Sequence, residues 1–270
     1  MSLSTQPGSW PVDTLRGLAV QRRVLVALSV RQLMTKYGRN NIGFLWIVLE
    51  PMILCAGVLV VRSIISAGEE NGVSLIGMLW TGYIPLTLWR HISNAGVNML
   101  RQCANLLYHR DISLLDCFGS NLTIEIGGCT IAGALVYWVI YSLGCIEPIY
   151  DIGLLLAGWL ELAFVSASVM VLFAVMTAIW EWSDRFIQPF QYLLLPLCGF
   201  FYMVEWLPSY AQKMAVWMPT VNTYEMIRAG LWGPTVTTHY MWWYPILFGL
   251  VLFAIALPLV DSARNKIHFG

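Results

Sequence analysis

Read from the amino terminus, the chain alternates long apolar runs with shorter stretches where charged and polar residues collect. A membrane-crossing helix needs roughly 20 mostly apolar residues. Six runs approach that length, near 43 to 66, 74 to 97, 120 to 143, 152 to 178, 186 to 204 and 242 to 260. The fifth is short and holds Pro189 and Pro196. The pattern therefore predicts an all-α integral membrane protein with six transmembrane helices, whose even count returns the chain to the side on which it began.

Three segments outside these runs carry their own pattern. Between Asp13 and Arg39, Leu15, Leu18, Leu25, Leu28 and Leu33 alternate with cations, which suits an amphipathic helix lying along the membrane surface; a plain basic leader is the alternative. Between Asn98 and Ser120, Leu100, Leu106, Leu107, Leu114 and Leu115 mix with Arg101, His109, Arg110, Asp111 and Asp116. A bare connector could be far shorter, so this loop reads as a docking surface built of short amphipathic helices. Between Glu205 and Thr235, Pro208, Pro219 and Pro234 bracket the stretches Ser209 to Met218 and Thr220 to Gly233, each too short to cross a bilayer. They predict a re-entrant helical hairpin before the last span, with an ordinary external loop as the alternative. The domain boundaries that follow are a cytoplasmic amino terminus at 1–42, a transmembrane domain at 43–260 and a tail at 261–270.

Composition sharpens this outline. Hydrophobic residues make up 58% of the 270 and charged ones only 11%, against roughly 25% charged in soluble domains. Net charge is zero, which removes the electrostatic case for nucleic acid. Placement matters more than total: one side of the six spans would hold Arg16, Arg22, Arg23, Arg31, Lys36, Arg39, Arg101, Arg110, Arg185, Arg264 and Lys266, the other only Lys213 and Arg228. The richer side is cytoplasmic by the positive-inside rule, so both termini are expected there. Trp180 and Trp182 would mark one interface, and Tyr137, Trp138, Tyr141, Trp242, Trp243 and Tyr244 the other. The first long apolar run begins too late for a cleaved leader.

Candidate chemistry is sparse. Cys55, Cys103, Cys117, Cys129, Cys145 and Cys198 form no CxxC pair and read as small packing residues, with no metal site. The sequence contains no GxxxxGK[ST] phosphate loop, HExxH zinc motif or GxSxG elbow, and its four histidines stand apart from any triad in sequence. Enzymatic activity is not expected of this chain. Five ionisable residues fall inside predicted spans: Glu50, Arg62, Arg90, Glu125 and Glu161. Burying one costs at least about 2.5 kcal/mol on insertion scales, so each should face a partner or an aqueous cavity. Glu50 and Arg90 both lie roughly 10 Å from the inner face and are expected to pair. Arg62 would snorkel, Glu125 would lie near the inner end of its span, and Glu161 would either accept a hydrogen bond or line a pathway.

Two stretches carry a family resemblance: LSVRQLMTKYGRNNIGFLWIVLEP at Leu28 to Pro51, and the Pro-bracketed WMPTVNTYEMIRAGLWG at Trp217 to Gly233. In this order, with a long first cytoplasmic loop, the sequence resembles the membrane (permease) subunit of capsular polysaccharide exporters within the type 2 ABC transporter permeases, over nearly its whole length. The family often has a Pro after the basic residue of the first loop where this chain reads YHRDISLLD.

The resemblance implies a homodimer in the bacterial inner membrane above two ATP-hydrolysing subunits that bind ATP and Mg, with no cofactor in this chain. It also implies a periplasmic polysaccharide export adaptor and a lipid-linked capsular polysaccharide as cargo. Arg31, Lys36, Arg39 and Trp46 would form the substrate entrance, and Glu50, Arg90 and Glu161 the intramembrane polar set. Arg101, His109, Arg110, Asp111 and Asp116 would meet the ATPase in a coupling helix, and Trp206, Trp217, Tyr224, Glu225, Arg228 and Trp232 would form the periplasmic gate. Related permeases move O-antigen or teichoic acid, which stays an alternative cargo; an intramembrane lipid-modifying enzyme and an ATP-independent carrier are alternatives of other classes.

Overall fold

The computed structural model describes residues 10–37, 73–97, 99–100, 114–180 and 182–267, with single positions at 49, 53 and 57; side chains inside the terminal helices are described for 21–34 and up to Val260. The regular elements among these residues are helices: α1 (Trp10–Tyr37), α2 (Leu75–Ala95), α3 (Leu114–Ser142), α4 (Ile152–Ile179), α5 (Ser183–Leu194), α6 (Ser209–Ala215), α7 (Pro219–Trp232) and α8 (Trp243–Ile267). Three segments, Leu115–Ser142, Ile152–Ile179 and Trp243–Val260, are long and apolar enough to cross a membrane. The predicted first span lies outside the described residues. The predicted second span coincides with α2, whose 21 residues have the length, although its last turns carry Arg90, His91, Ser93 and Asn94.

Helix α4 is the axis of the bundle, with α2, α7 and α8 packed around it. Two-thirds of its span (67%) is enclosed, against 22% for α8, which therefore forms an outer wall. The start of α4 is set by Asp151, whose Oδ1 accepts hydrogen bonds from the N–H groups of Gly153 (2.8 Å) and Leu154 (3.1 Å). Such a cap satisfies donors that the first helical turn leaves open. Ser74 does the same for α2 through Gly77 N–H, at 3.0 Å.

Small residues set how closely the helices approach, as expected where lipid removes the hydrophobic drive between helices and close packing decides association. A methyl on Gly158 would come within 2.9 Å of Met226 Cβ, and one on Gly230 within 2.7 Å of Leu155 Cβ. Backbone N–H groups of Tyr150 and Asp151 then donate to the carbonyls of Leu231 and Gly230. The Asp151 end of α4 and the end of α7 are thereby joined.

Two predictions need correction. The loop from 98 to 120 is shorter than expected, because α3 begins at Leu114 and carries Asp116 in its first turn, where a carboxylate complements the helix dipole. The fifth apolar run, 186 to 204, is not one continuous helix. Its helix α5 has 12 residues, about 18 Å at 1.5 Å per residue, and gives way to a 3₁₀ turn at Leu195–Leu197 that contains Pro196. Gly199 follows at φ +84°, a conformation open to glycine because it lacks a Cβ. The chain nevertheless runs the length of the bundle, from the Ile179 end of α4 to Val204, which is bonded to α7.

Candidate functional site

Pro219 opens α7 with its fixed φ at a position where no N–H is needed, and Gly233, at φ +57°, closes it. Along α7, Asn222, Glu225 and Arg228 stand three residues apart and so share one face. Asn222, Glu225 and Arg228 are fully buried (0% exposed). Each holds backbone of a neighbouring segment. Asn222 Nδ2 donates to the carbonyls of Val216 (2.7 Å) and Met218 (3.0 Å), and its Oδ1 accepts from Met241 N–H at 2.7 Å. Glu225 accepts from Val204 N–H at 3.2 Å and from His239 N–H at 3.0 Å. Arg228 donates to the carbonyls of Tyr202 and Phe200, and lies 3.6 Å from Glu225 Oε1.

This arrangement explains a buried ion pair that would otherwise be costly. Non-helical backbone inside a bilayer is tolerated only where protein satisfies its polar groups. The irregular stretch after α5 exposes the carbonyls of Phe200 and Tyr202 and the N–H of Val204, and the two charged side chains meet all three. Helix α7, the irregular stretch after α5 and the lead into α8 form one clamped unit.

The predicted gate residues divide. Tyr224, Glu225, Arg228 and Trp232 are enclosed, with the Arg228 guanidinium 5.7 Å from the Tyr224 ring centroid and Trp232 packed on Gly77 of α2. Trp206 is half-buried behind the turn at Val204–Trp206, and Trp217 is 66% exposed, its carbonyl held by Tyr244 OH at 2.7 Å. Nearby, His239 Nε2 and Glu205 Oε2 lie 2.7 Å apart on the exposed side.

Of the intramembrane set, Arg90 contacts α5: its Nη2 donates to Tyr192 OH at 3.3 Å, and its guanidinium lies 5.3 Å from the Tyr192 ring centroid. Glu50 lies outside the described residues, and with it the expected pairing. Glu161 is half-buried on α4, with Oε2 enclosed and without a partner. Of the entrance set, Arg31 is on the exposed side of α1, while the Lys36 side chain, Arg39 and Trp46 are outside the described residues, as are Arg101, His109, Arg110 and Asp111. Asp116 is turned inward, 7% exposed, and its Oδ1 accepts from Gln21 of α1 at 3.4 Å.

The structure gives one histidine, distant in sequence from any partner, two neighbours in space. His91 Nδ1 lies 3.3 Å from Glu125 Oε2 and 3.9 Å from Cys129 Sγ, joining α2 to α3. Glu125 is buried. Both neighbours approach the same ring nitrogen, which cannot take a thiol proton while donating to the carboxylate. This differs from a nucleophile–base relay, where the two partners use opposite nitrogens. Beside it, a crevice of about 190 Å³ between α2, α3 and α4 is lined by apolar residues such as Trp80, Ile84, Leu156 and Trp159.

Sequence reasoning missed Asn222 and His239. The three-residue spacing of Asn222, Glu225 and Arg228 was a legible signal, whereas the backbone partners are remote in sequence.

Apolar helices long enough to cross a bilayer, with buried charges spent on broken backbone, define a helical membrane protein. No protein-family model matches the chain. It is 34% identical over 93% of its length to the capsule polysaccharide export inner-membrane protein CtrC of Neisseria meningitidis serogroup B, covering 95% of that protein. It is 31% identical over 94% of its length to the capsule polysaccharide export inner-membrane protein BexB of Haemophilus influenzae, covering 96%. The polysialic acid transport protein KpsM of Escherichia coli is 21% identical over 92% of the chain. The chain belongs to the family of capsule polysaccharide export inner-membrane proteins.

Proposed function

We propose that this chain is the membrane subunit of an ATP-driven exporter that moves lipid-linked capsular polysaccharide across the bacterial inner membrane. The observation that carries the reading is the 34% identity, over nearly the full length of both chains, to a capsule polysaccharide export protein. In this reading six crossings place both termini in the cytoplasm, with the fifth made of α5 and the irregular stretch after it. Two copies enclose the pathway. Two separate ATP-hydrolysing subunits dock at the first cytoplasmic loop through Arg101, His109, Arg110 and Asp111, beside the buried Asp116. A periplasmic adaptor receives the polymer.

Arg31, Lys36, Arg39 and Trp46 form the entrance, where clustered cations attract the acidic lipid end of the substrate. Glu50, Arg90 and Glu161 supply polar contacts within the membrane. The α6–α7 hairpin is the outer gate: Trp206 and Trp217 face its surface, while Tyr224, Glu225, Arg228 and Trp232 hold its shape.

Deletion of the coding sequence in its native host tests this. The expected result is loss of surface capsule, polymer accumulating inside the cell, and restoration by the intact chain; surface capsule at parental level after deletion would refute the reading. Co-purification of a phosphate-loop ATPase with the tagged chain tests the partner.

A further inference from the structure

Helix α1 packs along the start of α3. Gln21 Nε2 donates to Asp116 Oδ1, and Leu25 lies against Gly119, where a methyl would come within 3.2 Å of the leucine Cδ2. Leu28 is buried on the same helix. A second apolar stripe points outward: Val26, Val30 and Met34 stand four positions apart and are exposed. A helix packed on protein by one face ordinarily carries polar residues on the other, so this stripe calls for a cover.

Between the two helices runs a trough of about 450 Å³, within the size range of small-molecule sites, about 300–1,000 Å³. Arg22, Val26 and Val30 line it in one register of α1, with Leu25 and Ser29 alongside and Thr123 on α3. Arg22 is the charged group among these lining residues. Asp116 is only 7% exposed and does not line the trough. The polarity has a direction. The helices advance together, Gln21 beside Asp116 and then Leu25 beside Gly119, and the apolar span of α3 begins at Leu115. Arg22 therefore sits at the outer lip of the span, with Val26 and then Val30 progressively deeper.

Charge narrows the occupant. From Gln21 to Met34 the chain carries Arg22, Arg23 and Arg31, all exposed, and no Asp or Glu. A second copy seated here on a twofold axis would set arginines against arginines. A soluble anion would leave Val26 and Val30 in water. We infer that the α1–α3 trough is a binding site for an anionic phospholipid of the cytoplasmic leaflet, with its phosphate on Arg22 and the first methylenes of an acyl chain along Val26 and Val30. A guanidinium meets two phosphate oxygens at once, and cations at the cytoplasmic surface draw anionic lipids to them. The choice of leaflet rests on the cytoplasmic amino terminus of the export reading; the site itself does not depend on the cargo.

Binding to the purified full chain tests this. A host that makes no capsule excludes the glycolipid cargo as the occupant. The protein in mild detergent is titrated with short-chain phosphatidylglycerol and, separately, with phosphatidylcholine of the same chain length, and bound lipid is counted by native mass spectrometry. Phosphatidylglycerol should bind at least about fivefold tighter, the contribution of one cation near an anionic surface. Arg22→Gln should abolish that preference, whereas Arg23→Gln, the same loss of charge at a residue outside the trough, should keep most of it. Val26→Gln should weaken both lipids without altering charge. All three side chains are exposed, so thermal midpoints without lipid should match the parent's. Equal binding of the two lipids by the parent overturns the inference. So does an equal loss in Arg22→Gln and Arg23→Gln, the result expected of diffuse surface charge. Either failure leaves the export reading standing, whereas surface capsule retained on deletion refutes that reading and leaves the lipid result untouched.

Discussion

Arg228→Met tests the clamp most directly. The substitution keeps an unbranched, space-filling side chain and removes the guanidinium from a fully buried site. Three losses follow: the carbonyls of Phe200 and Tyr202 lose their donors, and Glu225 keeps a carboxylate without its nearby cation. Breaking a buried pair by removing one partner costs about 3–5 kcal/mol. At about 2–4 °C per kcal/mol for chains of this size, the thermal midpoint of the detergent-purified protein should fall by at least about 6 °C. Adding Glu225→Leu removes the stranded charge, so the double variant should recover part of the loss, with a coupling of about 0.5–3 kcal/mol between the sites. It should not recover fully, because Val204 N–H and His239 N–H then lack their acceptor. Differential scanning fluorimetry on the four proteins of the cycle reads this. A fall of under about 2 °C in Arg228→Met, or strictly additive losses, would refute the assignment of the pair to holding broken backbone.

Other outcomes follow from the packing. Asp151→Ala removes the acceptor of two N–H groups at the start of α4 and should lower stability by about 0.5–2 kcal/mol, with Asp151→Asn keeping most of it, as chemical denaturation can measure. Gly96→Ala places a methyl against the Met170 carbonyl of α4 and should cost about 1–3 kcal/mol or more through displaced helices; a midpoint equal to the parent's would contradict that approach. Arg110→Glu should lower export per ATP hydrolysed while leaving the purified protein's thermal midpoint unchanged, a comparison of paired ATPase and export assays.

Much of the fold is written in periodicity. The runs at 120 to 143, 152 to 178 and 242 to 260 coincide with α3, α4 and α8, the helices among the described residues that are long and apolar enough to cross a membrane, because a long apolar run in a chain with this little charge has few alternatives to a membrane helix. Two short helices were legible as well: Pro208 and Pro219 sit where helices α6 and α7 begin, since proline tolerates the first turn and little else. The fifth run failed the same test because hydropathy registers lipid compatibility and is blind to where backbone hydrogen bonds go. Pro189 lies within α5, whereas Pro196 and Gly199 interrupt the helical run.

By itself, the sequence determined the class of protein, the positions of the long helices and the presence of charges that a bilayer would not accept alone. It could count Glu225 and Arg228 but not assign their partners. Those partners are peptide groups at Phe200, Tyr202, Val204 and His239, chemically identical to every other peptide group in the chain. The same limit hid the meeting of His91 with Glu125. Only the tertiary structure decided these, because packing α2, α5 and α7 around α4 selects which backbone atoms lose water and which side chains must replace it.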